Sequence, residues 1–196
     1  MENKPSFANP TPAGLVALAV ACFCFFAMLT GKVQTSASIL IGCWLIGGFV
    51  IQVIVGLIDL KNHNTSGGNA FLYFSAFFML VSGIEMITKF ILANAGIAFD
   101  ATIDGWAWAA LTLATFLWTP AFFKAPLPLT LIVLFLDVAL PFISLMDMKV
   151  LSHDFAVIPA VSLLLSGITA IYFSGAIVVN TAFGKSVLPI PKPIIK

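Results

Sequence analysis

Six apolar stretches follow one another along the chain with only short connections between them, at positions 13–29, 37–58, 70–92, 105–123, 127–146 and 155–180. Each is close to the roughly 20 residues that an α-helix needs to cross a hydrocarbon core. Four carry no charged residue, the third holds Glu85 and Lys89, and the fifth holds Asp137. Hydrocarbon offers a backbone N–H or C=O no partner, so such runs are compatible with helices that bond within themselves and with little else. Composition points the same way: 61% of residues are hydrophobic and 9% charged, against about 25% charged in an average soluble domain. The reading is an all-α membrane protein with six transmembrane helices. Residues 1–12 form an N-terminal segment, 13–180 the helical domain and 181–196 a C-terminal tail.

The nine basic residues are all lysines and the formal net charge is +1, so the phosphate-neutralising patch of a nucleic-acid binder is missing. Cys22, Cys24 and Cys43 lie inside apolar runs and are odd in number, which argues for small buried apolar groups rather than a disulfide framework. No small-residue cleavage site follows the first run, so it is expected to stay in the mature protein. With six spans both termini share a side, and Lys4, Lys61, Lys124, Lys185, Lys192 and Lys196 collect there, against Lys32, Lys89 and Lys149 opposite. The positive-inside bias then puts both termini in the cytoplasm. Trp106, Trp108 and Trp118, near the ends of the fourth run, read as aromatics at the headgroup level. The two halves of the chain show no repeat.

Ser162, Ser166, Ala170 and Ser174 recur every fourth residue, a stripe that lets helix backbones approach closely, or that lines a solute path. At the start of the first run, Asn9 is a plausible cap, Pro10 and Pro12 suit a first helical turn, and Gly14 and Leu15 open the buried face. A helix N-terminus of this kind can hold a small anion through free N–H groups, or simply begin a helix. Glu85 and Lys89 are spaced for an i,i+4 ion pair. Asp137 has no local partner, and ionisable groups at membrane depth face an interior, so it reads as a proton-linked group or as a hydrogen-bonded structural carboxyl. It follows Leu136 and points about 100° away from it. His63 and His153 lie in connections with no second ligand at metal spacing, so they read as surface residues, and no metal or cofactor site is expected. No nucleophile–base spacing of an enzyme is present either. Phe71, Phe74 and Phe78 share one helix face, an aromatic stripe that suits packing.

The segment Asn9-Pro10-Thr11-Pro12-Ala13-Gly14-Leu15 resembles the signature Asn-Pro-Ala-Pro-Leu-Gly-Leu of the acetate uptake transporter family, of the SatP/YaaH type, and departs from it at Thr11 and Ala13. The resemblance continues through Gln52, Gly56, Leu57, Asp59, Lys61, Asn64, Thr65 and Gly67, and returns at Ala170-Ile171-Tyr172, Asn180, Phe183-Gly184-Lys185 and Val187 to Ile190. It implies a six-helix protomer with its own central pore, assembled as a homo-hexamer in the inner (plasma) membrane and passing acetate, in some members succinate. It places substrate contacts at Asn9, Pro10, Pro12, Gly14, Leu15, Asn64, Thr65 and Asn180. The family's constriction, an aromatic, a Tyr and a Leu, maps onto Leu18, Phe74 and Leu136, which would make a wholly apolar gate closing by dewetting. Asp137 and Glu85 would be the proton-linked candidates. The expected function is transport of acetate and related small monocarboxylates, as an anion channel or with a proton. A path for ammonia, ammonium or another small neutral solute is the alternative that the apolar gate suggests.

Overall fold

A computed structural model describes residues 7–195. Lys4 and Lys196, used above in the charge-side argument, lie outside the described residues. Six long helices match the six apolar runs: α1 (Thr11–Leu29), α2 (Ser38–Lys61), α3 (Thr65–Asn94), α4 (Thr102–Phe122), α5 (Leu127–Asp147) and α6 (Val157–Phe183). No strand occurs among the described residues. Five of the helices are long and apolar enough to cross a membrane by length and composition; α4 is not among them.

Capping explains where the ends depart from the sequence reading. α3 starts five residues before the apolar run because the Asn64 side chain accepts the Gly67 N–H at 3.1 Å and closes the first turn. α6 runs to Phe183 and stops at Gly184, whose φ of 63° gives the left-handed turn that terminates a helix. Within α3, residues Phe74–Val81 widen into a π-helix, a geometry that is frequent at functional sites.

The helices run up and down, so that the starts of α1, α3 and α5 and the ends of α2, α4 and α6 share one end of the bundle. Neighbours pack in chain order and α6 closes back onto α1. Small residues set the close approaches. A Cβ added at Gly42 would meet the Gly83 carbonyl at 2.6 Å, and one at Gly83 the Gly42 carbonyl at 2.9 Å, so α2 and α3 touch backbone to backbone. The α6 stripe belongs to packing: Ser166 Oγ donates to the Ile132 carbonyl at 3.3 Å and Ser174 Oγ to the Pro12 carbonyl at 2.9 Å. Helices α3 and α4 approach least, and side chains bridge them. Tyr73 Oη donates to the Leu111 carbonyl at 2.7 Å, and Lys89 bonds Asp104.

The C-terminal segment is tied down rather than loose. Asn180 accepts the N–H groups of Val187 and Leu188 and donates to the Leu188 carbonyl, Tyr172 Oη donates to the Pro189 carbonyl, and the Ile195 N–H reaches the Phe123 carbonyl.

Candidate functional site

The bundle core is one apolar cluster that includes Leu15, Leu18, Phe25, Phe71, Phe74, Phe78, Trp108 and Leu136. The constriction candidates Leu18, Phe74 and Leu136 all belong to this cluster and are buried, Leu136 to 1% exposure. Phe74 stands edge-on to Tyr73 and Phe78, with ring centroids 4.7 and 5.6 Å apart. Tyr73, its neighbour, turns its phenol to α4 and leaves Phe74 on the core side.

At the end of the bundle away from the N-terminus, a cavity of about 500 Å³ opens above this core. Phe25, Phe78 and Trp108 belong to both its lining and the core, with centroid separations of 5.2 Å for Phe25–Phe78 and 5.9 Å for Phe78–Trp108. Trp108 thus faces inward, unlike the exposed Trp106, and only part of the interfacial reading of the tryptophans is realised. The polar wall of the cavity carries Glu85, Lys89, Asp147 and His153. Glu85 and Lys89 make the i,i+4 pair at 3.6 Å. Lys89 also holds Asp104 from the first turn of α4. Asp104 was not visible as a partner in the sequence, because it reaches Lys89 across the α3–α4 connection and not along a helix; Asp147 lines the same cavity. His153, read above as a surface residue, is exposed but stands at this cavity's wall.

At the other end, Asn9 Oδ1 accepts the Thr11 N–H at 3.0 Å and the Ala13 N–H bonds the Pro10 carbonyl at 3.1 Å, while Pro12 has no N–H. The first three positions of α1 therefore offer no free donor to an anion. Gly14 lies against the Phe71 ring, and its carbonyl accepts Gln52 Nε2 at 3.2 Å. Leu15 is buried in the core. Asn64 caps α3 and also donates to Asp59 at 3.2 Å. Thr65 lines a second hollow of about 380 Å³ between α3 and α4. Asn180 is saturated by the C-terminal segment, so its bonds serve the fold.

Asp137 faces α4 as its position one residue past Leu136 implies. Its Oδ2 lies 2.7 Å from Thr119 Oγ1, whose hydroxyl also reaches the Thr115 carbonyl at 2.9 Å, and its Oδ1 is buried without a partner. Among the described residues no group of His, Cys, Asp or Glu is arranged to hold a metal ion. The three cysteines are unpaired; Cys22 is buried but Cys43 is exposed, which corrects the reading of all three as buried groups.

Comparison with known proteins fits this architecture. The chain is 27% identical over 190 residues to a protein of Escherichia coli named succinate-acetate/proton symporter SatP, covering 96% of this chain and 97% of that one. Two proteins of Saccharomyces cerevisiae, accumulation of dyads protein 2 and ammonia transport outward protein 2, are each 32% identical over 80 residues, 40% of this chain. The matched stretch spans 28% of the length of those yeast relatives. A solved structure of the bacterial acetate channel SatP superposes with a TM-score of 0.80, covering 94% of this chain and 99% of that chain at 22% identity, so the two share a fold. The profile of the GPR1/FUN34/yaaH family matches residues 2–192, and the chain belongs to that family.

Proposed function

We propose that the chain carries acetate and related small monocarboxylates, and succinate, across the inner (plasma) membrane along a path inside the helix bundle. The observation that carries this reading is the end-to-end likeness to the SatP symporter. It gains weight from a cavity of about 500 Å³ that ends on the apolar core holding Leu18, Phe74 and Leu136. In this reading all six helices span the bilayer, both termini are cytoplasmic, and protomers assemble as a hexamer. Leu18, Phe74 and Leu136 form the gate, which excludes water until a solute or a fluctuation wets it. Asn9, Pro10, Pro12, Gly14, Leu15, Asn64 and Thr65 shape the passage at the terminal end, and Asn180 supports it by holding the C-terminal segment.

An anion moving into a negative-inside cell works against about 2.3 kcal/mol per 100 mV, a cost that a co-transported proton removes. Flux of labelled acetate into proteoliposomes, with pH gradient and potential imposed separately, tests the assignment. Uptake driven by an acid exterior and indifferent to potential identifies proton-linked transport, and flux that follows the potential identifies an anion channel. Absence of acetate flux under either gradient refutes the proposal. In that event the partial match to a yeast protein named for outward ammonia transport makes methylammonium the next solute to test.

A further inference from the structure

Gln52, in the middle of α2, is 1% exposed. Its Nε2 donates to the Gly14 carbonyl at 3.2 Å, which fixes the orientation of the amide, because only the nitrogen can donate to a carbonyl. Its Oε1 is then buried with no hydrogen-bond partner. A buried acceptor without a donor is a cost that a folded chain seldom carries without a reason. Its place supplies one. Gly14 and Leu18 are i and i+4 on α1, so Gln52 sits one helical turn from the constriction candidate Leu18, toward the terminal end of the bundle. The amide donors that could have turned this end into an anion cradle are already spent: Thr11 N–H on Asn9, Ala13 N–H on Pro10.

We infer that Gln52 Oε1 is a docking acceptor for the hydroxyl of an undissociated small carboxylic acid beside the constriction. The inference rests on the transport reading above and sharpens it to one protonation state of the solute. A carboxylate presents only acceptors and gains nothing from Oε1, whereas the acid donates one O–H to it. The group itself does not titrate. Helix α1 brings no carboxylate or amine to it. On α2 the nearest carboxylate is Asp59, two turns on and held by Asn64, and on α3 the first charged group is Glu85, at the far end beside Lys89. Asp59 and Glu85 are both unchanged in Gln52→Met, so a pH dependence that this variant loses belongs to the amide and its solute and not to either carboxylate.

The test compares the wild-type chain with Gln52→Met, which keeps the side chain's length and removes both polar atoms. Thermal melting of the purified protein is followed with acetate at acid and neutral pH and the same total concentration. Wild type is expected to be stabilised by acetate at acid pH and little at neutral pH, and Gln52→Met to lose that difference. In proteoliposomes the KM for acetate at acid pH is expected to rise about tenfold in Gln52→Met, the size of one hydrogen bond. Gln52→Glu guards against misfolding: protonated, it can donate to Gly14 and still accept. It is expected to bind acetate at acid pH nearly as well as wild type. Equal stabilisation of wild type at both pH values overturns the inference, as does a Gln52→Met chain whose melting point falls while its KM and pH profile stay unchanged, which marks a structural amide only. Stabilisation by methylammonium but not by acetate overturns it in favour of a cationic donor. Absence of acetate flux in the wild-type chain under every condition refutes the transport reading itself and is distinguishable from these outcomes.

Discussion

Gly14→Ala is the most informative single perturbation, because one methyl group reports on the packing that places the Gln52 amide. A Cβ at position 14 would stand 2.5 Å from Phe71 Cε1, 2.9 Å from Cζ and 3.0 Å from Cδ1. Carbon atoms rest at about 3.5–4.0 Å, so the ring edge or α1 must retreat by about 1 Å. Phe71 is buried in the core, and forcing a methyl into a packed core costs about 1–3 kcal/mol. For a chain of this length each kcal/mol corresponds to about 2–4 °C, so a fall in Tm of about 2–12 °C is expected. A shift of α1 also stretches the Gln52–Gly14 bond, which at 3.2 Å is already at the long end of the normal range. The assay is thermal unfolding in detergent for Gly14→Ala, Phe71→Leu and the double variant. Removing the ring that the methyl strikes should make the double variant less destabilised than the sum of the singles by about 1–2 kcal/mol. An unchanged Tm for Gly14→Ala, or strict additivity in the cycle, would refute the argument.

Leu136→Ala removes most of a buried side chain from the proposed constriction and should raise acetate flux several-fold while lowering stability by about 2–5 kcal/mol; flux no higher per folded protein would take Leu136 out of the proposed gate. Phe74→Tyr adds a polar tip at the same level, and faster acetate permeation in the liposome assay is the expected result. Lys89→Met leaves Asp104 beside Glu85 with no cation between them, and should destabilise the cavity end by about 1–3 kcal/mol; Lys89→Met with Asp104→Asn should recover most of it, as read from melting curves. Thr102 donates through its N–H and its hydroxyl to Asp100, which holds that exposed carboxyl below its ordinary range. The support this gives to the start of α4 is present at neutral pH and lost as pH falls through the lowered value. Hydrogen exchange at Thr102 and Ile103 measured across that fall should show it, and Asp100→Ala should abolish the pH dependence.

Element number and order were legible because each apolar run is as long as a bilayer is thick, and because Gly and Asn mark the stops. The Glu85–Lys89 pair was legible because i,i+4 spacing is a property of one helix. Asp104 was not, since its meeting with Lys89 depends on how α3 and α4 pack, which no local pattern encodes. The π-helix over Phe74–Val81 left no signal in a run of Phe, Met and Leu. Asn180 illustrates the opposite difficulty: a polar residue at the end of an apolar run reads as a substrate contact until the segment that saturates it is seen.

Helix α4 tests what composition can say about a membrane. It falls outside the set of helices apolar enough to span, and the reason is visible in where its polar groups sit. Thr112, Thr115 and Thr119 are buried, and each hydroxyl reaches the carbonyl four residues earlier, those of Trp108, Leu111 and Thr115. The opposite face presents Leu113, Phe116 and Leu117, with Leu113 63% and Leu117 80% exposed. Averaging over the helix mixes a satisfied polar face with an apolar outer one, although in a spanning helix lipid would meet only the second. Leu113→Arg separates the two readings, because Leu113 lies near the middle of Thr102–Phe122. At the centre of a spanning helix an arginine costs about 2.5–3.5 kcal/mol on insertion scales, whereas on a water-facing surface such changes stay within about 0.5 kcal/mol. Insertion efficiency in microsomes and Tm in detergent are the measurements. A large loss of insertion places α4 in the bilayer as the sixth span, and a neutral result removes it from there and with it the even number of crossings that puts both termini on one side.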